Sequence, residues 1–309
     1  MNKTIANGVY PTMITPYTSD GKVDYEAAAR IVKWYIEHGC EGVFAVCQSS
    51  EMFYLSLEEK IRLAKTVVDA AEGKINVVAS GHCSDSLDEQ IREINEISKT
   101  GIDAFVLVSN RFDLHNRGDE ECFKNAQYVL DRIDKDIPLG IYECPTPYKR
   151  LLSDDIIKRC LESGRFKFIK DTCCDPELLE KRARILSGTD LKLFNANAQT
   201  TLYSLICGYS GYSGIMANFH PDIIVWLCKN FEKYPEAAKR VQEFFTMYAF
   251  TECMHYPITA KYHMNLAGVP MELDSRWKNK EDCTEYEKMV IRQGISMEDY
   301  VLKQLNNLV

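Results

Sequence analysis

The chain has 12 cysteines and 6 histidines but lacks the spacings by which they commonly hold zinc: there is no CxxC, and no paired Cys/His motif occurs. No metal site is expected from spacing. Long hydrophobic runs are missing too, since nothing approaches the roughly 18 apolar residues of a membrane span. Residues 1–7 carry no apolar signal core, which gives the expectation of a soluble, cytoplasmic protein with no membrane partner. No GxGxxG follows the first apolar run, so a dinucleotide-binding fold loses its main support. Basic residues are outnumbered, 37 against 45 acidic, for a net charge of -8. That balance argues against nucleic acid or an anionic membrane as partner, while a small acidic ligand needs only a local cluster of positive charge. Linkers rich in Gly, Ser or Pro, low-complexity tracts and long repeats are likewise absent.

What is present describes an ordinary globular chain: 46% hydrophobic, 11% aromatic and 27% charged over 309 residues. Several cysteines, such as Cys47 and Cys228, lie inside apolar runs and read as reduced, buried small hydrophobes in a cytosolic protein. Short β-branched runs alternate with longer amphipathic stretches. Eight strands are expected, at 9–14, 42–47, 75–80, 104–109, 139–142, 166–170, 191–195 and 212–216. Helices are expected over 24–38, from the capping box at Ser56, from Ser84 or Asp85, and from Ser153. Eight βα units in succession predict an α/β TIM barrel, a (β/α)8 barrel, over 1–220. After residue 220 the strand signals stop. Pro221 begins a helix, 243–250 and 286–305 read as further helices, and 221–309 is expected to be a C-terminal helical appendage docked on the barrel.

In such a barrel the chemistry sits where strands end. Lys170 ends the sixth strand on the same face as Phe168 and Phe166. Its bland reading is a lysine paired with Asp171; its functional reading is a desolvated amine able to form a Schiff base. Tyr142 ends the fifth strand next door and is either core bulk or, beside such a lysine, a proton carrier. The second strand runs into Cys47-Gln48-Ser49-Ser50-Glu51, where hydroxyls and amides could hold a carboxylate. His82, Cys47 and Cys144 also lie near strand ends, with core histidine and inert thiols as the simpler readings.

Together these segments resemble the dihydrodipicolinate synthase and N-acetylneuraminate lyase superfamily of class I, Schiff-base-forming 2-oxo acid lyases. The resemblance spans nearly the whole chain. Gly8-Val9-Tyr10-Pro11-Thr12 through Pro16-Tyr17 looks like the family's first strand, and 47–51 stands where the family usually has Gly-Thr-Thr-Gly-Glu or Gly-Ser-Thr-Gly-Glu. Tyr142 with Pro145 matches Tyr-x-x-Pro, Ile169-Lys170-Asp171 matches the lysine strand, and 208–218 matches the Gly-rich eighth strand. The resemblance implies that Lys170 condenses with C2 of pyruvate or a longer 2-oxo (sugar) acid. Tyr142 would carry protons, and Gln48, Ser49, Ser50, Phe112, Gly214 and Ile215 would meet substrate. It also implies no cofactor beyond the covalent Schiff base, no metal, and a homo-oligomer, a tetramer built as a dimer of dimers.

Departures from the family pattern point to an altered pocket for the second substrate. Gln48 and Phe112 replace the relay hydroxyl and tyrosine of the synthase branch, and Pro147 replaces its arginine. Ala198 and Gln199 replace the Asp-Glu pair of the sialic acid lyase branch, and Ile215 its serine. These argue against strict dihydrodipicolinate synthase or sialic acid lyase activity. Arg111, Asn110, His115, Glu143 and Asn197 are candidates to line the altered pocket. Making or breaking a carbon-carbon bond is the leading reading. A 2-oxo sugar acid dehydratase using the same Schiff base, or a non-catalytic 2-oxo acid binding protein, are the alternatives. Tyr203, Tyr209 and Phe219 are candidates for subunit contacts.

Overall fold

A computed structural model describes residues 4–308; residues 1–3 of the N-terminal stretch discussed above, and 309, lie outside the described residues. Eight parallel strands form one sheet: β1 (Gly8–Val9), β2 (Gly42–Ala45), β3 (Asn76–Ala79), β4 (Ala104–Val108), β5 (Leu139–Tyr142), β6 (Phe166–Asp171), β7 (Lys192–Asn195) and β8 (Gly211–Tyr212). Consecutive strands are neighbours from β2 to β8, and β8 pairs with β1. The seam between β1 and β2 closes through a parallel bridge from Thr12 to Phe44, with Met13 N–H donating to Phe44 O (3.0 Å) and Phe44 N–H to Pro11 O (2.9 Å). A sheet closed on itself has no exposed edge, and the fold is the expected TIM barrel with helices outside.

Seven helices alternate with the strands: α1 (Tyr25–Glu37), α2 (Leu57–Ala71), α3 (Leu87–Ser98), α4 (Asp119–Leu130), α5 (Asp154–Glu162), α6 (Pro176–Leu186) and α7 (Thr201–Cys207). Caps set their starts. Asp24, Ser56 and Ser153 accept first-turn N–H groups, and Ser56 with Glu59 completes the expected capping box. The third helix opens later than Ser84, at Leu87. Ser84 is diverted because its hydroxyl and N–H both donate to the Glu93 carboxylate.

The first strand is shorter than 9–14, because proline at 11 has no N–H to donate and the backbone then breaks into an isolated bridge. Gly8 and Gly211 face each other across the β1–β8 seam. A Cβ on Gly211 would lie 1.8 Å from Gly8 O, so the two strands approach this closely only with glycine there.

Helix α8 (Pro221–Asn230) packs on β1 and β8 as the eighth crossover helix, so the ring of barrel helices runs past residue 220. Beyond it come α9 (Pro235–Tyr248), α10 (Ile258–Leu266) and α11 (Glu285–Asn306). The helix expected over 243–250 begins earlier, at Pro235, whose fixed φ suits a first turn. None of the helices among the described residues is long and apolar enough to cross a membrane.

Inward side chains fill the barrel. Tyr10 lies 4.7 Å from Phe194 and 5.5 Å from Phe168, Phe168 stacks on Phe194 at 4.6 Å, and Phe44 meets Phe168 edge-on at 6.0 Å. This aromatic plug leaves no pore, so whatever binds does so above it, at the strand C-termini.

Candidate active site

Above the plug lies a cavity of about 510 Å³, lined by Lys170, Tyr142, Gln48, Ser49, Asn197, Gly214 and Ile215 among others. Lys170 and Tyr142 are paired across β5 and β6, which puts both side chains on the inner face at one level. Lys170 Nζ stands 4.2 Å from the centre of the Tyr142 ring and 5.5 Å from that of Phe44. Burial lowers the Lys170 amine to about 8, with the thiols of Cys47 and Cys144 and the Glu252 carboxylate opposing the shift. The bland alternative, an ion pair with Asp171, does not hold: Asp171 faces the other way and pairs with Arg182 at 2.6 Å.

Directly behind these two residues is a buried polar network. The Arg182 guanidinium binds Glu143 and Asp171, each at 2.6 Å. Glu143 accepts from the N–H groups of Leu152 (2.7 Å) and Thr172 (2.8 Å), and the Tyr209 phenol donates to Asp171 (2.7 Å). Burial opposes both charges. In Asp171 burial is the largest single influence, but the guanidinium, the Cys173 N–H and the Tyr209 phenol together outweigh it and the pKa falls; in Glu143 burial wins and the pKa rises. The network fixes the residues following Tyr142 and Lys170, and so fixes their directions.

The loop after β2 turns sharply. Val46 takes φ 47°, a left-handed conformation costing a β-branched residue about 1–3 kcal/mol. Ser50 is spent inside the loop: its hydroxyl donates to Met13 O (2.6 Å) and accepts from Cys47 N–H (3.0 Å), and it does not line the cavity. Ser49 does, with its hydroxyl donating to Thr12 Oγ1 at 3.1 Å. Gln48 Oε1 accepts from the Tyr142 phenol and the Cys144 thiol, both at 3.3 Å, while its amide donates to Thr146 Oγ1 at 2.8 Å. Burial pushes the Cys144 thiol up to about 11, which leaves it an inert donor.

Several expected pocket residues are elsewhere. Phe112 is buried against His82, with ring centres 5.6 Å apart, and is outside the cavity lining. His82 accepts the Val108 N–H at 2.6 Å and contacts Gln90, and burial lowers its pKa to about 3, so it is a satisfied neutral core histidine. Asn110 donates to the carbonyls of Cys144, Thr146 and Tyr148, and Arg111 pairs with Asp85 at 2.6 Å. They brace loops instead of facing substrate. Glu143 is held by Arg182, and His115 is also outside the lining. Tyr209 and Phe219 are buried, which removes them as subunit contacts; Tyr203 is exposed.

Sequence reasoning missed the contribution of the C-terminal region, which supplies Glu252, Cys253, Tyr256, Trp277 and Lys278 to the cavity. Burial raises the Glu252 carboxyl to about 7, partly offset by the Met216 N–H and the Tyr212 phenol; Glu252 Oε1 has no hydrogen-bond partner among the described residues. Tyr256 accepts from Asn218 at 3.1 Å. Trp277 and Lys278 are delivered by the wholly buried Glu51, whose Oε2 accepts from Ser275 Oγ (2.9 Å) and from the N–H groups of Arg276 (2.7 Å) and Trp277 (3.0 Å). A carboxylate in the loop after β2 was the available signal, but its partner lies more than 200 positions away.

The fold is a (β/α)8 barrel, and the cavity lies at its strand ends, the position where barrels of this kind carry their active sites. The family model "Dihydrodipicolinate synthetase family" matches residues 6–280, and the chain belongs to that family. A 4-hydroxy-tetrahydrodipicolinate synthase of Methanococcus aeolicus is 25% identical over 90% of this chain and 98% of its own. Among solved structures, the Ruminococcus gnavus sialic acid aldolase superposes with a TM-score of 0.85 at 15% identity, covering 97% of this chain and 99% of its own. Dihydrodipicolinate synthase from Acinetobacter baumannii, solved with pyruvate, gives a TM-score of 0.82 at 22% identity, covering 96% and 99%. Membership of that family makes the chain an enzyme of the carbon-carbon lyase, class I aldolase type.

Proposed function

We propose that the protein is a Schiff-base aldolase that makes or breaks the carbon-carbon bond next to pyruvate in a 2-oxo (sugar) acid. The observation that carries this reading is the Lys170 amine, buried, lowered to about 8 and set 4.2 Å from the Tyr142 ring inside the cavity. The free amine attacks the C2 carbonyl carbon, and the carbonyl oxygen leaves as water after two protonations. Tyr142, whose phenol burial holds protonated, is placed to pass those protons. The substrate carboxylate is met by the Ser49 hydroxyl and the amides of its loop, and the covalent Schiff base needs no further cofactor.

Gln48 shapes the rest. Its amide receives the Tyr142 phenol's hydrogen bond but has no labile proton to relay, so the shuttle ends at Tyr142 and the substrate's own groups complete it. The second-substrate end of the cavity carries Glu252, Asn197, Lys149 and Lys278, a polar set suited to a hydroxylated partner. Incubation with pyruvate and borohydride, followed by peptide mass spectrometry, is expected to leave a reduced adduct on Lys170. An unmodified Lys170 with every 2-oxo acid in a panel would overturn the reading.

A further inference from the structure

A second cluster of chemistry-bearing side chains lies at the joint between the barrel and its last helices. His220 occupies the N-cap position of α8 without capping it through its side chain, His263 sits in the last turn of α10, and Glu298 projects from α11. Both imidazoles are buried, at 0% and 2% exposure, and among the described residues none of their four ring nitrogens has a hydrogen-bond partner. Leaving buried polar groups unsatisfied is destabilising, so a partner is called for. Glu298 Oε2 comes within 3.0 Å of His220 Nδ1 and 3.9 Å of His263 Nε2, yet neither approach has hydrogen-bond alignment. The other walls are aromatic: Tyr248 and Phe244 stand 4.9 and 5.2 Å from His220, and Phe219 5.6 Å from His263.

We propose that His220, His263 and Glu298 form a binding site for one divalent transition-metal ion of the zinc type. Their ligand atoms all lie within 4.8 Å of one another. A tetrahedral ion with bonds of about 2.0–2.2 Å holds its ligands about 3.3 Å apart, and the two contacts to the carboxylate bracket that spacing. Two imidazoles and one carboxylate select zinc-like ions over magnesium or calcium, which want oxygen ligands. A water completes the fourth position. Such an ion pins α10 and α11 to the start of α8, next to the segment Ile215–Asn218 that flanks the cavity. It is a cross-link, separate from the Schiff-base chemistry. Motif spacing does not reveal it, because each ligand comes from a different helix.

The test uses the full chain, stripped with EDTA and titrated with Zn²⁺ or Co²⁺ alone. One equivalent should bind and raise the melting temperature, and the cobalt form should show a d–d spectrum with no thiolate charge-transfer band, which separates this site from the cysteines. His263→Gln and Glu298→Gln should each weaken binding at least tenfold, with the fold checked by circular dichroism. If His263→Gln does not fold, Glu298→Gln decides, since that side chain already reaches solvent. Absence of a tight equivalent in folded wild type, thiolate ligation, or unchanged affinity in Glu298→Gln would each overturn the site.

Discussion

Lys170 and Tyr142 divide the proposed chemistry between a nucleophile and a proton carrier, and their substitutions should separate the two. Lys170→Ala is expected to abolish both turnover and the borohydride adduct. Tyr142→Phe keeps the amine and should still be trapped, but with kcat reduced about 10²–10⁴-fold, the usual worth of a positioned acid-base group. Only the free amine attacks, so the trapping rate should rise with pH through a midpoint near 8; a midpoint near the ordinary lysine value would contradict the desolvated environment. Glu252 gives a stability signature. Its folded pKa is raised from 4.5 to about 7, so its contribution is intact below 4.5 and is lost as pH rises through 7. Facing it are Lys170, Tyr212 and Tyr256. The melting temperature of Glu252→Gln should therefore draw ahead of wild type as pH rises from 4.5 to above 7, and a constant gap would count against this.

At the scale of elements, β5 and β6 carry Tyr142 and Lys170, the proposed reacting pair, and Arg182 of α6 braces both strand ends from behind. Arg182→Met strands two buried carboxylates and should cost about 3–5 kcal/mol in urea unfolding. Lys170 and Tyr142 were legible in the sequence because a two-residue period and a strand end dictate which way a side chain points. The roles of Glu143 and Asn110 were not. A polar residue just beyond a strand reads the same whether it faces ligand or braces a loop, and only the position of Arg182, or of the three carbonyls around Asn110, separates the cases. Ser49 and Ser50 show the same limit at adjacent positions. The turn at Val46 sends one hydroxyl to the cavity lining and folds the other into the loop.

Across the whole molecule, the last helices complete the site as well as covering the barrel. Glu51 links the loop after β2 to 275–277, and its other oxygen lies 3.6 Å from the buried Lys261. Glu51→Ala should free this segment, seen as faster hydrogen exchange over 270–280, and raise KM for the second substrate more than it lowers the rate of pyruvate trapping; unchanged exchange would sever the link. The barrel, its strand ends and the positions of Lys170 and Tyr142 on them could be read from the sequence alone, because periodicity and strand order are local properties that survive without knowledge of distant contacts. Which polar groups face the cavity, the addition of Glu252, Tyr256 and Trp277 to it, and the convergence of two histidines and a glutamate from separate helices all come from the folded chain. Those facts depend on contacts between residues far apart in the chain, where burial and pairing are set by packing that no local pattern encodes.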